Sequence, residues 1–327
     1  MTGRSGPIIV TGAAGFIGSH LSEALLARGE RVIGIDNFDP FYDVQTKERN
    51  VGLVEQAARS GPGTFELIRA DICDVEAMNG LLERAKPSGI IHLAAKAGVR
   101  PSIADPVGYT RANLLGTSVL LEAAKRASLA RFVMASSSSV YGNNTKTPFA
   151  EDDDVSRPVS PYAATKRSCE MLAHAHWHLT RMPTACLRFF TVFGPRQRPD
   201  LAISQFMRLI SRGDEVPMYG DGESSRDYTY VEDVVRGVMA AYDRVDSFGY
   251  RIWNLGGSAP VPLRRMIETI ARTVGREARI KPMAMQPGDV ERTWADLTRS
   301  AKELGYTPRM PFEEGVSRQW QWMNGGK

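Results

Sequence analysis

The sequence predicts an α/β protein: a doubly wound parallel sheet followed by a smaller C-terminal lobe assembled from discontinuous pieces. Three observations carry that expectation. Apolar runs of strand length alternate with helical patterns as far as Phe189, which implies βαβ units and a sheet covered on both faces. A glycine-rich turn separates the first apolar run from the first helix. Beyond Gly194, proline and glycine thicken and the elements shorten.

The first strand is expected at Ile8–Thr11, followed by Thr11-Gly12-Ala13-Ala14-Gly15-Phe16-Ile17-Gly18 and a helix over Ile17–Arg28. Gly12 permits the tight turn, Gly15 lets backbone approach a pyrophosphate, and Gly18 allows close helix–strand packing. The helix N-terminus adds N–H groups and a positive dipole for phosphates. This strand–turn–helix context makes the sheet Rossmann-type and points to a dinucleotide. The second strand, Arg31–Asp36, ends in a carboxylate. Asp36 can accept both ribose hydroxyls of NAD and would repel a 2′-phosphate, so NAD is the expected cofactor.

Asp39–Gly63 is polar and poorly periodic and reads as a long excursion after the second strand. The third strand, Phe65–Ala70, leads into Asp71-Ile72, placed to flank adenine. The fourth, Ile90–Leu93, leads into Leu93-Ala94-Ala95, small residues where a cofactor lies against backbone. A helix is expected over Tyr109–Ala127, a fifth strand over Phe132–Ser136 and a sixth over Ala185–Phe189. Arg251–Leu255 returns to the sheet edge, and Pro308–Lys327 forms a last helix and tail. The division is therefore 1–190, plus the returning strand at 251–255, for the cofactor, and 191–327 mainly for substrate. The cleft between the lobes is the expected site.

Two segments carry chemistry. Ala135-Ser136-Ser137-Ser138-Ser139-Val140-Tyr141-Gly142 places hydroxyls at the carboxyl edge of the sheet, where α/β sites form. Ser160-Pro161-Tyr162-Ala163-Ala164-Thr165-Lys166 opens a helix over Tyr162–Thr180, with Tyr162 and Lys166 on one face. A free tyrosine titrates at about 10, and a neighbouring ammonium favours the phenolate, which makes such a tyrosine a usable general acid/base. Tyr-x-x-x-Lys by itself is common on amphipathic helices, so it gains meaning only beside the other motifs.

Composition excludes several classes. The formal charge of +4 is mild, and the basic residues are scattered rather than clustered. That argues against nucleic-acid or membrane partners and suits an anionic small molecule. Cys73, Cys169 and Cys186 form no C-x-x-C pair, which suits a reducing cytoplasm. Met1 leads directly toward the first strand, with no signal-like apolar region, and no apolar run approaches the ~20 residues of a membrane helix. His174 and His178 share a helix face, but no third ligand follows at suitable spacing, so no metal is expected.

Taken together, TGAAGFIG, the Asp36-Asn37 pair, HLAAKAGVR, the Tyr109/Asn113/Gly116-Thr117 helix, SSSSVYG, SPYAATK, LRFFTVFGPRQRPD and SSRDYTYVEDV span nearly the whole chain in order. In this it resembles the extended short-chain dehydrogenase/reductases, in particular the nucleotide-sugar epimerases and dehydratases. The resemblance implies that Ser137, with Ser138 the fallback, hydrogen-bonds the sugar O4. It implies that Tyr162 removes the O4 proton and that Lys166 holds the nicotinamide ribose. It adds Asn37, Lys96, Asn113 and Ser136 to the cofactor site. Dehydratases of this kind carry an acidic pair after the active hydroxyl, and decarboxylating relatives a glutamate before Val-Tyr-Gly; here those positions are Ser138 and Ser139.

Three segments are similar to UDP-glucuronate 4-epimerases rather than UDP-glucose ones: Phe41-Tyr42-Asp43-Val44 with Lys47, Lys96-Ala97-Gly98-Val99-Arg100, and Phe190 to Asp200. The resemblance places Thr191 and Arg198 at the substrate carboxylate; Ser138 and Ser139 are expected to help hold it, and Arg100 reads either as a further substrate contact or as a surface arginine. It places Arg226, Asp289 and Arg292 near the diphosphate and ribose of UDP. A guanidinium and hydroxyls suit a carboxylate better than a neutral CH₂OH. Lys96 stands where relatives often carry glutamine, and Gln197 where glycine is usual. The resemblance also implies a homodimer through the Tyr109–Ala127 and Tyr162–Thr180 helices. The alternative readings are a UDP-glucose or UDP-N-acetylglucosamine 4-epimerase, and a UDP-sugar dehydratase or decarboxylase.

Overall fold

A computed structural model describes residues 6–284 and 290–325. The strands are β1 (Ile8–Thr11), β2 (Arg31–Asp36), β3 (Thr64–Arg69), β4 (Gly89–His92), β5 (Phe132–Ser137), β6 (Thr184–Phe189), β7 (Thr191–Phe193), β8 (Glu215–Tyr219), β9 (Ser225–Tyr230), β10 (Tyr250–Leu255), β11 (Pro260–Pro262) and β12 (Arg279–Met283). Seven of them form one parallel sheet in the order β10-β6-β5-β4-β1-β2-β3. Strands β1, β4, β5 and β6 are buried along their whole length, as expected of continuous apolar runs covered on both faces. The strand order reverses between β1 and β4, which opens a crevice at their carboxyl ends.

The helices are α1 (Phe16–Ala27), α2 (Val44–Ser60), α3 (Val75–Ala85), α4 (Val99–Ala104), α5 (Pro106–Tyr109), α6 (Gly116–Arg126), α7 (Pro161–Thr180), α8 (Ala202–Arg212), α9 (Val231–Arg244), α10 (Leu263–Val274), α11 (Thr298–Leu304) and α12 (Phe312–Met323). Every strand expected from the sequence is present within a residue or so of its anticipated ends. Two segments differ. The excursion after β2 contains α2, a 17-residue helix capped by the Asp43 carboxylate. Its buried face is Lys47, Asn50, Val51 and Val54, half of it polar, so an apolar period of 3.6 is absent from the sequence. The expected helix over Tyr109–Ala127 is interrupted by a π-helical turn at Thr110–Leu115, which widens the backbone around Asn113.

Beyond β6 the chain returns to the large sheet earlier than the strand at 250–255. Val231, Val234, Val235, Val238 and Tyr242 of α9 join the core beneath β1, β5 and β6. Strands β11, β9 and β7 make a three-stranded sheet, and β12 pairs with β8. A separate core of Phe206, Met207, Ile210, Met266, Ile270 and Val316 packs α8, α10 and α12 together. Among the described residues no helix is long and apolar enough to cross a membrane.

Candidate active site

A cleft of about 610 Å³ lies over the carboxyl ends of β1, β2, β4 and β5. Its floor begins at the glycines. Gly12 has φ +72°, and a Cβ there would stand 2.8 Å from the Ala94 backbone nitrogen. A Cβ at Gly18 would stand 2.0 Å from the Gly12 carbonyl oxygen, so neither position tolerates a side chain. At Gly15 a Cβ would meet only the Gly12 carbonyl, at 3.1 Å. Gly15 is also the N-cap of α1, with no side-chain cap on that helix. The free first-turn N–H groups therefore face the cleft lined by Gly12, Gly15, Phe16, Ile17 and Gly18, an arrangement suited to a diphosphate.

Asp36 is buried at the end of β2. One of its carboxylate oxygens accepts from the Ala14 N–H at 3.2 Å and the other from the Phe38 N–H at 2.8 Å. The Lys47 ammonium of α2 lies 3.5 Å from the latter oxygen. Asn50, one turn further along α2, donates to the Ala14 carbonyl at 3.0 Å. This accounts for the polar face of α2: it packs on the glycine turn and the carboxylate rather than on the hydrophobic core. Asn37, Asp71, Ile72, Leu93, Ala94, Ala95 and Lys96 continue the lining. Together a cradle that excludes a Cβ, an uncapped helix end and a fixed carboxylate fit a dinucleotide such as NAD.

His92, at the end of β4, is neutral. Burial lowers its titration to about 3, with the Lys166 ammonium adding to the effect. Thr117 donates its hydroxyl proton to the Asn113 carbonyl at 2.6 Å and so accepts from His92 Nε2 at 3.1 Å. Thr11 accepts from the Ala94 N–H at 3.1 Å and gives its own proton to His92 Nδ1 at 2.7 Å. The ring thereby clamps β4 to β1 and to the helix carrying Asn113.

The serines continue from β5. Ser137 Oγ lies 3.1 Å from Ser139 Oγ and accepts from the Ser139 N–H at 3.2 Å, capping the short turn Ser138–Tyr141. Opposite them stands the first turn of α7, with Ser160 as N-cap and Pro161 behind it. Tyr162 is buried and held by two contacts: its N–H donates to Ser102 Oγ at 3.1 Å, and its ring meets Tyr109 edge-on at 6.1 Å. Lys166 Nζ donates to the Ala135 carbonyl at 2.8 Å. Ser136, Ser137, Ser138, Ser139, Tyr162 and Lys166 all line the cleft.

Thr191 opens β7, and both it and Arg198 line the far side. The Arg198 guanidinium forks onto Asp200 at 3.0 and 2.6 Å, donates to the Ala97 carbonyl at 3.1 Å and lies over the Phe41 ring at 4.9 Å. Arg226 of β9 lines the cleft as well, its guanidinium bound to the Ser225 carbonyl at 3.0 Å.

Not every anticipated residue reaches the cleft. Asn113 is buried behind it, where its carboxamide exchanges hydrogen bonds of 2.8 and 3.0 Å with the Lys96 backbone and donates to Thr165 Oγ1 at 3.0 Å. Ser136 lines the cleft, but its hydroxyl is committed to Glu170 at 2.6 Å. Arg100 is exposed with its guanidinium over the Tyr219 ring at 4.7 Å, outside the lining. Arg292 is exposed where the chain bridges to Ser225, also outside it. Asp289 lies outside the described residues. The lining adds Arg111, Val290 and Thr293, which carry no local motif. Glu170, one turn beyond Lys166 on the same helix face, is buried outside the lining. No group of metal-ligating side chains occurs among the described residues.

Fold and cleft define a dinucleotide-dependent enzyme, and a tyrosine–lysine pair and an arginine line that same cleft. The chain belongs to the GDP-mannose 4,6 dehydratase family, among the extended short-chain dehydrogenase/reductases: the family profile matches residues 9–319. An uncharacterized protein of Methanocaldococcus jannaschii is 43% identical over 96% of this chain and 95% of its own. A UDP-glucuronate 4-epimerase of Thermodesulfobacterium geofontis is 37% identical over 97% and 96%. The crystal structure of the Bacillus cereus UDP-glucuronic acid 4-epimerase, in complex with UDP-glucuronic acid and NAD, superposes with a TM-score of 0.91. It is 34% identical, over 98% of this chain and 99% of that one.

Proposed function

We propose that the protein is a UDP-glucuronate 4-epimerase, interconverting UDP-glucuronate and UDP-galacturonate through a transient 4-keto sugar with NAD tightly bound. The observation that carries this reading is the half-buried Arg198 guanidinium, in one cleft with Thr191, Ser138, Ser139 and the Tyr162–Lys166 pair. Its relatives support the same reading. We assign 1–190 with the strand at 251–255 to the cofactor and 191–327 mainly to the UDP-sugar. The three free thiols suit a cytoplasmic setting.

The glycine cradle and α1 would hold the diphosphate of NAD, Asp36 the adenosine ribose and Lys166 the nicotinamide ribose. When bound, NAD supplies a reversible hydride acceptor and donor. Tyr162 Oη takes the proton from the sugar O4 as the alcohol becomes a ketone, with Ser137 Oγ donating a hydrogen bond to that oxygen. The 4-keto sugar turns about its bonds to UDP, which Arg226 anchors, and presents its opposite face. Tyr162 then returns the proton to O4, completing the inversion.

A 4-keto uronic acid is a β-keto acid and can lose CO₂. Held by Arg198, Thr191, Ser138 and Ser139, the carboxylate keeps its C5–C6 bond out of line with the carbonyl π system. Equilibration of UDP-glucuronate and UDP-galacturonate from either side, with no added NAD, tests the proposal. A UDP-pentose as the main product would move the protein to the decarboxylating relatives instead.

The homodimer is a further part of the reading. Val107, Leu115, Met171 and Leu179 are 78%, 45%, 58% and 81% exposed along the α5–α6 and α7 surfaces. A second copy would cover them.

A further inference from the structure

Tyr162, Lys166 and Glu170 follow one another at four-residue intervals on α7 and so share a face. Two of them are tied to consecutive residues of β5. Lys166 Nζ reaches the Ala135 carbonyl at 2.8 Å, and Glu170 Oε1 accepts from Ser136 Oγ at 2.6 Å. Glu170 also receives a fork from Arg188 on β6, Nε and Nη2 each at 2.9 Å, and one bond from Arg167 at 3.0 Å. Glu170 and Arg188 side chains are 0% and 1% exposed. Arg188 donates onward to the Glu151 carbonyl at 3.1 Å and lies over the Tyr141 ring at 4.8 Å.

A buried ion pair is a poor device for stability alone. Its desolvation offsets most of the attraction, and apolar replacements of equal volume are often as stable. What this one does that an apolar pair cannot is direct a short, charge-assisted bond at one hydroxyl. That hydroxyl belongs to the residue preceding Ser137. The carboxylate therefore joins α7, β5 and β6 immediately beneath the groups that face O4.

We propose that Glu170 is a positioning residue, locking α7 and the end of β5 in one register so that Tyr162 and Ser137 address the same sugar oxygen. This rests on the proton-transfer roles of those two residues, not on which UDP-sugar is turned over.

Two variants test it, assayed on whichever UDP-sugar the wild-type enzyme epimerises. S136A removes the link to β5 and leaves the Glu170–Arg188 pair intact. It is expected to lower kcat by about 10-fold to 100-fold, the scale of a small misplacement of catalytic groups. The sugar KM, the NAD content after gel filtration and the melting temperature stay near wild type. E170M/R188M replaces both buried charges, and the acceptor for Ser136, with apolar side chains of comparable volume, and its melting temperature is expected to stay near wild type while kcat remains low. The proposal is overturned if S136A keeps wild-type kcat. It is equally overturned if S136A loses NAD in proportion to activity, which would make Ser136 a cofactor contact. Wild-type kcat in E170M/R188M, or kcat that simply follows melting temperature across both variants, would reduce Glu170 to a stabilising role.

Discussion

Tyr162 carries the heaviest assignment at the scale of single residues. Tyr162→Phe removes one oxygen from a ring that meets Tyr109 edge-on and leaves the backbone bond to Ser102 untouched. It should fold and retain NAD while losing about 10² to 10⁴ in kcat; a loss under tenfold would mean that another group moves the proton. Arg198→Ala and Thr191→Ala should raise the share of UDP-pentose product, followed by mass change of the sugar nucleotide. If both lose rate without any new product, the carboxylate is not protected by these groups. Residues in regular elements were legible in the sequence: Gly12, Asp36, Tyr162 and Lys166 occupy strand ends or helix starts, where spacing dictates direction. Arg100 lies on α4, a helix of only six residues, and Arg292 on an isolated bridge, where spacing carries little such information, and neither reaches the cleft lining.

The elements show a second limit on what a sequence discloses. Helix α2 hid because its inward face serves Asp36 and the glycine turn through Lys47 and Asn50, so its pattern lacks the apolar stripe that marks a core helix. The joint between α1 and the loop after β7 was equally silent. There His20 meets the Pro195 carbonyl at 2.9 Å. Burial, with the neighbouring Arg196 charge, lowers its titration to about 4 from an ordinary 6.5. An unfolded chain takes up that proton near 6.5 and the folded one resists it until about 4, so this contribution to stability is lost as pH falls through that window. The loss amounts to about 3 kcal/mol at its limit. His20→Gln should therefore flatten the fall in melting temperature between about pH 6.5 and 4; an unchanged slope would contradict the assignment.

For the whole molecule, the parallel sheet and its crevice followed directly from alternation of strand and helix patterns. The return of α9 to the large sheet did not, because an amphipathic helix does not declare which core its apolar face joins. The same ambiguity attends the exposed side chains of α7, and one substitution resolves it. Leu179→Glu, with that side chain 81% exposed, should leave the fold intact and shift sedimentation from dimer to monomer. An unaltered dimer would place the interface elsewhere.

Selectivity for a C6 carboxylate around a self-contained redox site is what the proposed function requires of the cleft. The measurement that bears on it most directly uses purified enzyme, no added NAD, and separate incubations with UDP-glucuronate and UDP-glucose, followed by the anomeric proton signals. A mixture of UDP-glucuronate and UDP-galacturonate is expected in the first tube and unchanged UDP-glucose in the second. Epimerised UDP-glucose beside untouched UDP-glucuronate would contradict it, removing Arg198 and Thr191 from substrate recognition while leaving Tyr162 and Lys166 in place.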